Sequence, residues 1–178
     1  MEDFPFDANG SDHLLFFGRI HPDKGAAEAI AAARGSGRRL VMAGIVQDRD
    51  YHNEHVVPAL DDGCVVYLGT VGGAGRAKAL GSARALLHLI NFDEPFGLSV
   101  VEALASGTPV IASNRGSMPE LIDHGVTGFL VNGVDEAVDA IGRIGEIDRA
   151  ACRAAVSARF TVDRMADRYL ELYRSLLG

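Results

Sequence analysis

The chain has two cysteines, Cys64 and Cys152, and no Cys-x-x-Cys pair. That gives no basis for a disulfide framework or a cysteine-built zinc site, and a reducing cytoplasm is the default setting. Positive charge is short as well. Lys and Arg number 17 against 24 Asp and Glu, for a formal net charge of −7. Non-specific nucleic-acid binding needs a basic footprint, so no nucleic-acid partner is expected and any phosphate must be held by a few local cations. No stretch approaches the ~20 consecutive apolar residues that span a bilayer, and the acidic start Met1-Glu2-Asp3 does not read as an ordinary signal peptide. Two nucleotide fingerprints are missing too. No G-x-G-x-x-G follows the first predicted strand, which argues against a nicotinamide or flavin dinucleotide. No G-x-x-x-x-G-K-[ST] exists, which excludes a P-loop nucleotidase. No Ser-His-Asp or Cys-His set can be assembled.

What is present is core. Hydrophobic residues make up 48% of 178 positions and charged residues 23%, the balance of one globular domain. Residues 1–12 are short, polar and punctuated by Pro and Gly, and read as a linker or domain edge; residues 13–178 read as the domain. Apolar runs at 13–17, 40–43, 65–68, 85–90, 109–112 and 128–131 predict six strands. The first, His13-Leu-Leu-Phe-Phe17, suits a strand buried on both faces. Helical segments alternate with them, at about 25–33, up to Leu60, within 72–82 after a Gly-rich turn, at 98–106 and from Val134 onward. Ser117-Met-Pro-Glu120 fits a capping box. Met165, Tyr169, Leu172, Tyr173 and Leu176 fall on one face of the last helix. Such alternation means βαβ units, and the expected fold class is α/β: a doubly wound, Rossmann-like parallel sheet of about six strands flanked by helices. In the common order 3-2-1-4-5-6, strands 1 and 4 meet at the switch point, where ligands bind beyond the carboxyl ends. The loops 18–25 and 91–97 then face one crevice.

The chain is organised around residues 91–113, which run from that second loop through a helix to a strand. Glu94 and Glu102 lie eight positions apart around Gly97, which permits close backbone approach. A helix start offers free N–H groups and a partial positive charge to an anionic or hydroxyl-rich ligand. Capping explains acids there equally well, and Ser99-Val-Val-Glu102 itself fits a capping box. A helix beginning at Gly97 or Leu98 would place Ser99 inside the first turn instead. Arg19 and Lys24 are cations beside another helix start, where acids are favoured; a bound phosphate accounts for them, and so does a solvated surface pair with Asp23 nearby. His21 shares that loop. His88, among apolar neighbours, reads as a core histidine. Asp48, His52 and His55 could share a helical face, but without a fourth ligand they read as a solvated face rather than a metal site. Gly72-Gly-Ala-Gly75 matches neither phosphate motif and reads as a flexible turn.

Four motifs in order resemble the donor-binding half of family 4 glycosyltransferases of the GT-B fold. They are Gly18-Arg-Ile-His-Pro-Asp-Lys-Gly25, Glu94-Pro-Phe-Gly-Leu-Ser-Val-Val-Glu102, Gly107-Thr-Pro-Val-Ile-Ala112 and Glu120-Leu-Ile-Asp-His-Gly-Val-Thr-Gly-Phe-Leu-Val131. The resemblance runs from about Leu14 to the final helix. It implies that Arg19 and Lys24 contact the diphosphate of a nucleotide sugar, and that Glu94 binds the sugar hydroxyls with backbone N–H groups of Phe96, Gly97, Leu98 and Ser99. By the same resemblance Glu102 binds the ribose and the base lies near Val71. Arg19, Lys24 and Glu94 would carry the catalytic roles, with no cofactor and no metal required. The sugar would move from a UDP- or GDP-sugar to an acceptor with retention of configuration. Pro95 stands where the family often has glycine, which removes one backbone donor. The family's N-terminal acceptor-binding domain is not in this sequence, so little or no transfer by the chain alone is expected. That domain is the expected partner, and it could tie the protein to the inner membrane from the cytoplasmic side. The resemblance leaves the oligomeric state open. Half of a sugar-nucleotide epimerase or phosphorylase, or a non-enzymatic nucleotide-binding module, are the alternatives.

Overall fold

A computed structural model describes residues 3–177. Six short strands form one sheet: β1 (Leu14–Phe17), β2 (Leu40–Ala43), β3 (Val65–Tyr67), β4 (Ala85–His88), β5 (Val110–Ser113) and β6 (Gly128–Val131). All pair in parallel, in the order β3-β2-β1-β4-β5-β6. The expected order is the observed one, so β1 and β4 are neighbours and the sheet reverses its winding between them. Leu14, Leu15, Leu86, Leu87, Val110 and Ile111 are all within 1% of full burial. Successive residues of a strand point to opposite faces, so unbroken apolar runs mean helices cover the sheet on both sides.

The helices are α1 (Ala26–Gly35), α2 (Arg49–Tyr51), α3 (Val57–Asp61), α4 (Gly73–Ser82), α5 (Leu98–Ala105), α6 (Met118–Leu121), α7 (Val134–Arg143), α8 (Arg149–Arg159) and α9 (Val162–Leu177). The single helix expected up to Leu60 is instead α2 and α3 joined by a π-helical stretch, His52–Val56. Pro58 explains it. Proline has no N–H to give a carbonyl four residues back, and its ring crowds that carbonyl. The ladder shifts by one residue, and the N–H of Val57 reaches the carbonyl of His52. Two further expectations change. The Gly72–Gly75 run is not a loose turn, because α4 begins at Gly73 with Gly72 as its N-cap. Ser117 does not cap α6. Its backbone is already helical and its hydroxyl donates to the carbonyl of Phe96 at 2.7 Å.

Opposite the carboxyl ends of the strands, α8 holds residues 4–7 against the sheet. Arg149 donates to the carbonyls of Asp7 (2.7 Å), Ala83 (2.9 Å) and Gly81 (2.7 Å), while Arg153 donates to those of Phe4 (2.8 Å) and Ala105 (2.6 Å). No residue of α9 is buried. Its apolar face, with Met165, Tyr169 and Leu172, overhangs a groove floored by Phe96, Leu98, Val101 and Leu121. Among the described residues no helix is long and apolar enough to cross a membrane.

Candidate functional site

The site forms where the loops after β1 and β4 converge. After β1 the chain turns through a short 3₁₀ segment, Pro22–Lys24, whose first N–H groups are met by His21: its Nδ1 accepts from the N–H of Asp23 at 3.2 Å. Gly25 follows with φ 71°, and a Cβ there would lie 1.8 Å from the carbonyl oxygen of Leu89. Only glycine permits that approach, and it presses the first loop against the chain leaving β4. The N–H of Asn91 then donates to the carbonyl of Asp23 at 2.8 Å. Two loops distant in sequence are locked together at the switch point.

This contact sets Lys24 and Glu94 face to face in a salt bridge, with only 16% of each side chain exposed. The ammonium also lies 4.5 Å from the centre of the Phe92 ring, a cation–π contact. Glu94 is held from behind, because its carbonyl accepts from the N–H of Ser117 at 3.0 Å. Beside the pair, His88 at the end of β4 is 5% exposed, and its Nε2 lies 3.8 Å from Glu94 Oε2 without a hydrogen-bond partner. Burial, helped by the Lys24 charge, lowers its pKa to about 4, with Glu94 pulling the other way. The ring is neutral at pH 7. The sequence marked His88 only as a core histidine; burial was legible there, but its approach to Glu94 depends on where the next loop folds.

Downstream, α5 starts without a side-chain cap. Gly97 is the N-cap at φ 96°, no acid occupies the first turn, and the N–H groups of Leu98 and Ser99 have no helical carbonyl to bond. Phe96 and Leu98 are exposed around them. Ser99 lies inside the first turn, so the second capping box does not form. Glu102 comes one turn on, and its carboxylate takes a salt bridge from Arg76 of α4. Burial raises the Glu102 pKa and Arg76 opposes the rise. Arg76 in turn lies over the Phe17 ring, 5.5 Å from its centre. Nothing in the local pattern singled out Arg76; it meets Glu102 because α4 and α5 are neighbours in space.

Arg19 is exposed and its guanidinium bonds the side chain of Gln47, on the loop after β2. Asp23 does not pair with Arg19 or Lys24 but lies beside His21. Val71, half-buried on the loop after β3, borders the same end of the sheet. Asp48, His52 and His55 are occupied separately. Asp48 caps α2 by accepting from the N–H of Tyr51 at 2.9 Å, His55 packs on Tyr51 and His52 on Tyr67.

Fold and site together define a Rossmann-like domain that carries two ion pairs, Lys24–Glu94 and Arg76–Glu102, beyond the carboxyl ends of its strands. The chain belongs to the group 1 glycosyltransferases, whose family profile, "Glycosyl transferases group 1", it matches over residues 11–146. It is 34% identical to the D-inositol 3-phosphate glycosyltransferase of Mycobacterium leprae, an alignment covering 98% of this chain and 43% of that enzyme. The chain therefore spans less than half the length of such relatives. Among solved structures it is similar to AviGT4, a glycosyltransferase involved in avilamycin A biosynthesis, with a TM-score of 0.83 and 34% identity over 96% of this chain and 53% of that one. The Anabaena protein Alr3699/HepE, solved with UDP and glucose, aligns at TM-score 0.80 and 25% identity, over 93% of this chain and 49% of that one. The fold is that of one half of a GT-B glycosyltransferase.

Proposed function

We propose that this chain is the donor-binding domain of a retaining glycosyltransferase that draws its sugar from a nucleoside-diphosphate sugar, a UDP- or GDP-sugar. The observation that carries the proposal is the Lys24–Glu94 pair across the switch point, beside the uncapped start of α5. A cation and a carboxylate that neutralise each other in the free protein are suited to part around a ligand that offers phosphate to one and hydroxyls to the other. In this reading Lys24 and Arg19 hold the diphosphate. Glu94 accepts from sugar hydroxyls, and the N–H groups of Phe96, Gly97, Leu98 and Ser99 complete the cradle. Glu102, steadied by Arg76, accepts from the ribose, and the base lies by Val71. As the bond from sugar to phosphate breaks, negative charge grows on the diphosphate. Fixed cations and a helix N-terminus stabilise that charge without reorganising. No metal is needed for this role. The acceptor is held by a domain outside this sequence, and the setting is cytoplasmic.

Thermal melts with nucleoside diphosphates and their sugars test the reading. A ligand at a hundredfold excess over its Kd adds about 2.7 kcal/mol, or roughly 5–10 °C for a domain of this size. Arg19→Ala with Lys24→Ala should abolish the shift, since each lost charge-assisted bond costs ~1.5–3 kcal/mol, tenfold or more in affinity. Equal titrations by wild type and the double variant would sink the assignment of these cations.

A further inference from the structure

Buried polar atoms in folded proteins are nearly always hydrogen-bonded, and an exception calls for a physical account. His88 is such an exception, and it points into the site. Its Nε2 has no partner and stands 3.8 Å from Glu94 Oε2, beyond hydrogen-bond range, while Lys24 occupies that same oxygen. We propose that His88 is a positioning residue for Glu94, supplying from Nε2 the hydrogen bond that Lys24 vacates when a diphosphate draws the lysine away. This rests on the donor-site reading above and goes beyond it, because it explains how Glu94 stays aimed once its counterion has left. The strand fixes the backbone beneath the ring: His88 is the last residue of β4, pairs with Ala112 of β5 and is only 5% exposed, so the imidazole lies packed inside the protein. A movement of under 1 Å by the Glu94 side chain brings Oε2 within the ~2.7–3.2 Å of a hydrogen bond.

The exchange of partners has a proton signature. The charged groups facing His88 are Lys24, from the turn after β1, and Glu94, from the loop after β4. In the free protein the lysine helps to keep the ring neutral. With Lys24 turned to the diphosphate, the carboxylate acts on the ring less opposed, and the ring's affinity for a proton rises. Donor binding should then take up protons at about pH 5.5, below the ordinary imidazole pKa, and none at about pH 8.

Calorimetric titration of the chain with UDP-glucose, in two buffers of different ionisation heat, reads both affinity and proton uptake. UDP-glucose is the suitable probe because its diphosphate is a diester with no proton titrating in this range. Wild type should show uptake at the lower pH. His88→Leu, which suits an apolar strand, should bind about tenfold more weakly, the scale of one hydrogen bond to a charged group, and show no uptake. His88→Gln, which keeps an N–H near the position of Nε2, should recover affinity without uptake. Melting curves of both variants report whether they fold, and if the leucine variant does not, the glutamine variant decides by losing uptake while still binding. Equal affinities for wild type and His88→Leu, or no uptake by wild type, overturn the inference and leave the donor site standing. Failure of wild type to bind any nucleoside diphosphate or its sugar overturns the donor site and this inference with it.

Discussion

Glu102 is an acid on which burial and pairing act in opposite directions, and burial is the larger. Its pKa in the fold therefore lies above the ordinary 4.5 that it recovers when unfolded. Between those two values the native state holds a proton that the unfolded chain has released. Stability from this group is full below the unfolded value and is lost as pH rises through the native one. Glu102→Gln removes that loss, so the ligand-free variant should melt above wild type at about pH 7.5, and the gap should close near the unfolded carboxyl pKa. Melts at the two pH values check this; a variant that melts below wild type at the higher pH would mean that the Arg76 pair outweighs burial. The same variant should bind UDP more weakly, because a carboxylate kept ionised against its burial is the kind of local cost that sites carry for function. Of the charged residues the sequence singled out, Lys24, Glu94 and Glu102 each meet a partner from another element. One of those partners, Arg76, was not selected for a role by the sequence, and neither was His88, which lies beside Glu94 at 3.8 Å. A residue's type and its neighbours in the chain were legible, but the identity of a partner on another element was not.

At the scale of elements, Gly25 couples the two halves of the sheet. A side chain there meets two separate obstacles, a left-handed backbone and a carbonyl 1.8 Å away. Gly37, with φ 65° and nothing within 4 Å of its Cβ position, meets only the first. Urea unfolding should separate the two effects. Gly37→Ala should cost ~1 kcal/mol, whereas Gly25→Ala should cost more than ~3 kcal/mol or prevent folding. Similar losses at both positions would show that the contact with Leu89 is not what holds the loops together. Strand positions were read correctly to within a residue or two because a buried parallel strand is a continuous apolar run. Helix ends were harder. The Ser117 box failed because α6 is one turn long and the Phe96 carbonyl took its hydroxyl. The π stretch escaped notice although Pro58 marks the place where the regular ladder must break.

For the whole molecule, the core is the sheet with its packed helices, and α9 lies outside it. Its sixteen residues bury no side chain, and Met165, Tyr169, Leu172 and Tyr173 are all more than half exposed. Apolar area that leaves water on folding is what stabilises a helix in place, and α9 contributes little of it. Deleting residues 162–178 should thus change the melting temperature by no more than about 2–4 °C, the effect of roughly 1 kcal/mol in a domain of this size. It should also reduce self-association at high concentration, since a row of exposed apolar side chains invites contact. A collapse of the thermal transition on deletion would place α9 within the cooperative core.

The sequence by itself determined the α/β class, the number of strands, the two loops of the site and the four motifs that mark the family. Each of these is a local pattern, an apolar run, a glycine where the chain must turn or a fixed spacing of acids, and such patterns act over a few residues. Only the tertiary structure decided which groups touch. That Lys24 meets Glu94, that Arg76 meets Glu102 and that a neutral His88 waits beside the first pair all follow from the strand order, which brings residues up to seventy positions apart into contact. Strand order is a property of the assembled sheet, and side-chain partners across it are set by packing rather than by spacing along the chain.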